Sequence, residues 1–524
     1  MPSNINHKTL STLIAILVAI FTTGYLRIHW IPFLPEPDGG FYTFFSQYFY
    51  TALANGEGIA PNYPIALYSL LTSWVYGLDI NQYMALRWID LCLAVIASTL
   101  FFKVIEKESG SLFFSVVTVS AVLIVMNNYS FILYGFRNSI WAAYVPLFLA
   151  LLASQSINKK NHYLFYFIGA VAAFGVLLRE PFLFFYITGA IAILFAYGWK
   201  ILVKYLIGSA ILGFTTLFIV IMFREGGNLQ TITNSYIVQV GGLQDLANEL
   251  LISNFLKNSL IAIKAYWFGI TLSIISAIYI LKLNLKDKKS VSTNRFFFWL
   301  ALALVPIIEP IFKLGFDYHF INCIPGLAGI SAMGWKYVSL NEPKIVKKYV
   351  MGAIIILYVF GVYPNLSRTL NINVYHKENP VSDAYNHLWK NGYSEIETIR
   401  LSNYLIAADM IKKLSKKDST LAVAGFAQVL YPLTGLFPAS IGMMDLRALY
   451  LSLNWNEDKL VGILQEQQPT LIFPTKQVLP GIPNLTRAIQ RTGLYERVAI
   501  ISYSPNVYYK SIIGDIYRLK SFKQ

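Results

Sequence analysis

The chain reads as an α-helical polytopic membrane protein of about eleven transmembrane helices, with a small extracytoplasmic α/β domain at its C-terminal end. Of its 524 residues 56% are apolar and only 13% charged, and mean hydropathy is +0.52, a balance typical of bilayer-embedded chains. The apolar residues fall in runs of roughly spanning length, separated by short basic clusters. Beyond about residue 380 these runs give way to alternating amphipathic and strand-like segments.

Candidate spans cover residues 9–26, 83–102, 111–126, 138–154, 163–178, 182–198, 201–223, 259–281, 296–312, 318–335 and 349–364. The first run, Thr9 to Leu26, follows His7 and Lys8. It exceeds a signal-peptide core and lacks a small-residue cleavage site, so it is expected to be a retained helix. With a cytoplasmic N-terminus, the inner loops hold sixteen of the twenty-four Lys and Arg residues before position 367, as the positive-inside rule requires. The net charge of +15 is therefore topological and does not describe a nucleic-acid groove. Cys92 and Cys323 both lie in apolar runs, which excludes a disulfide framework.

An odd number of spans places two segments on the same outer side: the first loop and the tail after about residue 367. The first loop contains Pro35 to Tyr42, in which Pro37 precedes Asp38, and Gly39 and Gly40 follow it. This arrangement presents the carboxylate at a tight turn. The aromatics Phe41, Tyr42, Phe44 and Phe45 suit the membrane interface, and Tyr63 to Leu78 reads as a helix lying in that interface. The second glycine-containing outer loop, about 224–258, suits a mobile lid. In the tail, helices are expected over Ile399 to Leu414 and Glu457 to Gln467, with Asn456 as an N-cap. Strands are expected at Thr420 to Ala424, Thr470 to Phe473, Val498 to Tyr503 and Ile513 to Leu519. The domains are accordingly 1–366 in the membrane and 367–524 outside it.

Eight basic residues escape the topology rule: Arg27, Arg87, Arg137, Arg179, Arg224, Lys257, Lys264 and Lys313. Of these, Arg87, Arg137, Arg179 and Lys313 fall at outer helix ends. One such residue could simply snorkel to headgroups, but four on one side favour an anion site, since a guanidinium binds phosphate in a bidentate way. Asp90, three residues after Arg87, is expected to pair with it. Glu180 beside Pro181, Glu309 before Pro310, and Asp317 with His319 add ionisable groups at the same level. His319 is a candidate phosphate contact.

Several of these residues together resemble the C-superfamily (GT-C) integral-membrane glycosyltransferases, nearest to the protein O-mannosyltransferase and aminoarabinose-transferase branch. The resemblance rests on Asp38-Gly39-Gly40-Phe41-Tyr42, Tyr63-Pro64 with the aromatic stretch after it, Arg87, Arg179-Glu180-Pro181, and Tyr318-His319-Phe320 leading to Pro325. In the tail, Val423 to Ser440 is similar to the exported domain of bacterial members. The resemblance implies an inverting transferase that moves a sugar from a polyprenyl-phosphate donor to a lipid, glycan or protein acceptor on the outer face, in a bacterial inner (plasma) membrane. It implies Asp38 as the general base. Arg87, Arg137, Arg179, Lys313 and His319 would then hold the donor phosphate, with Glu180 and Glu309 as supporting acids. A departing phosphate needs positive charge more than a proton, which fits those cations.

The chain departs from the family in its second acid. Gly39 follows Asp38, and the next outer loop reads Asn127-Asn128-Tyr129-Ser130 with no carboxylate. Hard cations require several oxygen ligands, so no cofactor is expected and a divalent metal ion has no clear acidic motif here. Two other classes compete. A transporter of an anionic solute would use the arginines as a pathway, but transporters concentrate such groups in broken helices near the midplane. A lipid-linked glycan polymerase or ligase would act at the same face, without a reason to carry the α/β tail. Membrane lipids are expected partners and nucleic acid is not.

Overall fold

The computed structural model describes residues 7–28, 43–51, 67–78, 82–127, 138–157, 161–225, 251–286, 293–312, 317–373, 406–425, 427–428, 430–453, 455–475, 482–502 and 512–522. The chain forms two compact units, one of residues 1–31, 87–218 and 245–373, the other of 32–86, 219–244 and 374–524.

The first unit is a helical bundle in which every expected span has a helical counterpart. Helix α1 comprises His7–Ala19, a π-helical turn Ile20–Gly24 and Tyr25–Ile28. Then follow α2 (Gln82–Ser109), α3 (Leu112–Met126), α4 (Asn138–Ser154), α5 (Leu164–Leu178), α6 (Leu183–Tyr197), α7 (Trp199–Glu225) and α8 (Leu251–Lys286). Helix α9 (Thr293–Leu304) continues through a 3-10 turn, Val305–Ile307, into Ile308–Phe312. Another 3-10 segment, Asp317–Cys323, leads to α10 (Ile324–Asn341), and α11 (Lys344–Asn373) closes the bundle. Among the described residues six helices are long and apolar enough to cross a membrane, and four shorter ones are apolar. The outer loop expected over 224–258 is shorter, because α7 runs to Glu225 and α8 starts at Leu251. The glycines behind the lid expectation lie outside the described residues.

Small residues let these helices approach closely. A side chain at Gly208 of α7 would collide with the Tyr166 backbone of α5, and one at Gly169 of α5 with that of Tyr205. Ser209 Oγ donates across the same crossing to the Gly169 carbonyl at 3.0 Å. On α10, Gly329 leaves room for the Trp299 ring of α9. Such contacts substitute for the hydrophobic driving force that lipid does not supply.

The second unit contains a four-stranded sheet, β1 (Leu421–Ala424), β2 (Leu471–Pro474), β3 (Tyr495–Ser502) and β4 (Ile512–Leu519), in the order β1-β2-β4-β3. β1 and β2 are parallel and the other pairs antiparallel. Each strand lies within three residues of its expected position. After the short helices α12 (Leu430–Thr434) and α13 (Leu446–Ser452), α14 (Glu457–Gln467) and α15 (Ile482–Arg491) pack on one face, through Leu460, Leu464, Leu485 and Ile489. Asn456 caps α14, accepting from the Lys459 amide at 3.0 Å. The expected helix over Ile399 to Leu414 is helical at 406–414, its earlier part lying outside the described residues.

The other sheet face corrects the reading of the first-loop aromatics. Residues 43–51 are helical, and Phe44, Phe45 and Phe49 are almost wholly buried in one cluster with Ile411, Val423, Tyr431 and Phe473. The rings of Phe44 and Tyr431 are 4.4 Å apart. A sheet with both faces apolar needs cover on both, and this helix helps provide it, so these two rings are core and not interface anchors. Phe41 and Tyr42 are outside the described residues. The Tyr63 to Leu78 stretch is helical over Leu67–Thr72 and Ser73–Gly77, and Thr72 Oγ1 meets Ser46 Oγ at 2.9 Å. Leu71, Trp74 and Leu78 remain exposed on its other side.

Candidate active site

Polar groups in the bundle gather at the end where α1 finishes and α2 begins. The π-helical turn of α1 puts Thr23 Oγ1 2.8 Å from Ser98 Oγ, and Asn127 Nδ2 donates to it at 3.1 Å. One turn later Arg27, 5% exposed, donates through Nη2 to Asp90 Oδ2. Its guanidinium also lies 5.6 Å over the Trp141 ring. Asp90 is fully buried, and Arg87, 2% exposed, is a second cation acting on it. The expected Arg87–Asp90 pair is thus replaced by an ion pair with Arg27. A pair along one helix surface is worth only a few tenths of a kcal/mol, whereas a buried carboxylate demands a well-aligned partner, and the neighbouring helix supplies one.

A second group joins α4, the end of α9 and the Asp317–Cys323 turn. His319 Nδ1 is 2.5 Å from Glu309 Oε1, and both residues are buried. Asn322 Nδ2 donates to Glu309 Oε2 at 3.0 Å, and Tyr144 Oη donates to Asn322 Oδ1 at 3.0 Å. With Glu309 ionised, and so only accepting, His319 donates through Nδ1 and turns its Nε2 to other contacts. Glu309, expected as a supporting acid, acts here by holding His319.

The two groups meet at α4, where the Trp141 and Tyr144 rings lie 5.7 Å apart. Phe182 packs edge-on against Tyr144 at 5.2 Å. Arg179 caps α5: its N–H donates to the Gly175 carbonyl, and its own carbonyl accepts from Phe182 N, both at 3.0 Å. It lies within electrostatic reach of Tyr144. The structure therefore assembles Arg87, Arg179, Glu309 and His319 from the sequence-derived set at one end of the bundle. Asp38, Arg137 and Lys313 lie outside the described residues, as does the side chain of Glu180, whose backbone opens the 3-10 turn Glu180–Phe182. Among the described residues there is no group of three or more His, Cys, Asp or Glu suited to a metal ion.

Arg27, Trp141, Tyr144 and Asn322 were missing from the sequence-derived site. Arg27 carried a signal, being a basic residue outside the topology rule. The other three carried none, since each matters only through a partner distant in sequence. Together these groups offer guanidinium forks and an oriented imidazole, which suits an anionic, oxygen-rich ligand.

No family model matches the sequence, and no curated protein does. Solved structures do match. Over the full length of both chains the fold corresponds to the crystal structure of ArnT from Cupriavidus metallidurans bound to undecaprenyl phosphate, with a TM-score of 0.51 and 11% identity. The oligosaccharyltransferase of Archaeoglobus fulgidus, in complex with zinc and sulfate, matches 89% of this chain and 68% of its own at a TM-score of 0.43, also with 11% identity. The chain thus has an ArnT-like fold.

Proposed function

We propose that the protein is an inverting glycosyltransferase that takes a sugar from a polyprenyl-phosphate donor and passes it to a lipid, glycan or protein acceptor at the outer face of a bacterial inner membrane. The observation that carries this reading is the full-length ArnT-like fold, in a chain that buries Arg27 and Arg87 together at one end of the bundle. That the ArnT structure holds undecaprenyl phosphate supports a donor of the same class. The clustering of charge at helix ends argues against the anionic-solute transporter.

In this reading Asp38 removes the acceptor hydroxyl proton as the oxygen attacks the anomeric carbon from the face opposite the phosphate. The bond to the phosphate oxygen breaks, its electron pair stays on the phosphate, and the configuration inverts. Arg87, Arg137, Arg179, Lys313 and His319 hold the departing anion, and Arg27 joins them. Such charge stabilisation, fixed before the reaction, is usually the largest catalytic contribution. Residues 1–366 form the membrane-embedded transferase with a cytoplasmic N-terminus, and 367–524 the exported domain.

The test uses membranes containing the full chain and a radiolabelled polyprenyl-phosphate sugar. Asp38→Asn should lower transfer by about 10²–10⁴-fold, the usual contribution of a general base, without weakening donor binding. Arg179→Ala should weaken donor binding. Undiminished transfer in Asp38→Asn would remove the general-base assignment, and solute movement without a polyprenyl donor would replace the enzyme with a transporter.

A further inference from the structure

A cavity of about 350 Å³ lies among α4, α5, α6 and α9 of the bundle. Its walls are apolar, with Ile168, Phe185 and Ile193 among them, and its far end is polar, formed by Gln155, Asn294 and Arg295. Between Phe185 and Tyr197 it follows α6 for about 18 Å at 1.5 Å per residue. This is slightly more than one leaflet of a hydrocarbon core about 30 Å thick. The polar end adjoins the C-terminal end of α4, whereas Trp141 and the arginine cluster are at its N-terminal end, so this cavity's charged mouth and the candidate active site are at opposite ends of the bundle.

Arg295 is built into that mouth. Its Nε and Nη2 donate to Glu108 Oε2 at 2.8 and 2.5 Å, and Trp299 Nε1 donates to the same oxygen at 3.1 Å. Glu108 is 1% exposed, while 36% of the Arg295 side chain is exposed, so the pair is anchored on its buried side and presents the guanidinium outward. Lys107, hydrogen-bonded to Ser156 Oγ at 2.5 Å, and Lys103 add positive charge to the same helix end, making three cations against Glu106 and Glu108. The topology assigns this end to the cytoplasmic side.

We propose that the cavity binds an anionic glycerophospholipid from the cytoplasmic leaflet, one acyl chain lying between α4 and α6 and the headgroup phosphate seated on Arg295. An apolar slot of leaflet depth takes a chain, and a fixed guanidinium at its mouth selects a phosphate carrying net negative charge. Basic pockets between helices on the cytoplasmic side bind such headgroups. This site is independent of the transferase reading.

Lipid retention by the purified full chain tests the proposal. Phosphatidylglycerol, phosphatidylcholine and a polyprenyl phosphate are offered separately in detergent, and bound lipid is counted by native mass spectrometry. One equivalent of phosphatidylglycerol should be retained, at least tenfold in preference to phosphatidylcholine. Arg295→Gln, which keeps a donor for Glu108, should abolish the preference. Ala192→Phe, which fills the cavity from α6 without touching the mouth, should abolish retention and decides the matter if Arg295→Gln does not fold. Equal retention of both phospholipids, unchanged retention in Ala192→Phe, or retention of the polyprenyl phosphate alone would overturn it.

Discussion

Asp90 is the residue whose replacement separates stability from binding most cleanly. It is fully buried, its carboxylate pairs with Arg27, itself 5% exposed, and Arg87 lies nearby. Asp90→Leu leaves the Arg27 guanidinium buried without its carboxylate, a change that costs about 3–5 kcal/mol when a buried pair is broken from one side. Arg27→Met strands the carboxylate, but Arg87 remains to act on it, so the loss falls toward the lower end of that range. The double variant Arg27→Met with Asp90→Leu removes both charges at similar volume and should lie within about 1 kcal/mol of the parent. The resulting coupling energy is about 5 kcal/mol or more. Unfolding by SDS titration in mixed micelles gives these free energies, and Trp141, stacked on Arg27, reports locally by fluorescence. The stable double variant should still bind a polyprenyl phosphate more weakly than the parent, because it lacks one guanidinium. An Asp90→Leu cost below about 1 kcal/mol, or a double variant as unstable as the single ones, would refute the buried-pair reasoning.

Other expectations follow from single contacts. Phe44→Ala should cost about 3–5 kcal/mol by opening a cavity in the sheet-domain core, seen as faster limited proteolysis of the region after residue 406. Asn322→Leu removes the donor to Glu309 and the acceptor of Tyr144, costing about 1.5–3 kcal/mol. It should also shift whichever limb of the pH–rate profile reports His319, which a purely structural role would leave in place. In α14, hydrogen bonds from Arg487 and Arg491 hold the Glu457 carboxyl down at about 2, below its usual 4.5. Folding lowers this pKa, so the contribution is complete above about pH 4.5 and disappears as pH falls through 2. Amide protection factors across Glu457–Gln467 should decline over that window, and Glu457→Gln should flatten the decline.

The membrane helices and the sheet strands were legible because their signals are local. A run of apolar residues is visible within one window, and so are the alternating segments that became β1 to β4. Asn456 announced α14 by its chemistry alone. Pairing across helices was not legible. Asp90 had two arginines within reach of an argument, and the nearer in sequence was the wrong choice, because packing of α1 on α2 decided the partner. Phe44 and Phe45 looked like interface rings for the same reason: the strands they cover lie more than 370 residues further along. Tyr144 and Asn322 are 178 residues apart, and neither is unusual until the helices are packed.

α4 is what makes the two polar groups one site. Trp141 and Tyr144 are three residues apart and therefore share a face of the helix, where the first stacks on Arg27 and the second donates to Asn322. A rotation of α4 large enough to break one contact must break the other. Its position is fixed in turn by Pro146 packing on Gly175, the α5 residue whose carbonyl receives the Arg179 amide. Arg27 and His319 are thus oriented through one rigid element and through neighbours other than a ligand, and the Arg179 backbone is fixed beside them. Charges held in this way need little rearrangement when an anion arrives, and a phosphate leaving group gains most from donors already in place. The same fixity explains why close glycine contacts recur around the bundle, on α5, α7 and α10: a site built from helix ends is only as well defined as the crossings that hold those ends.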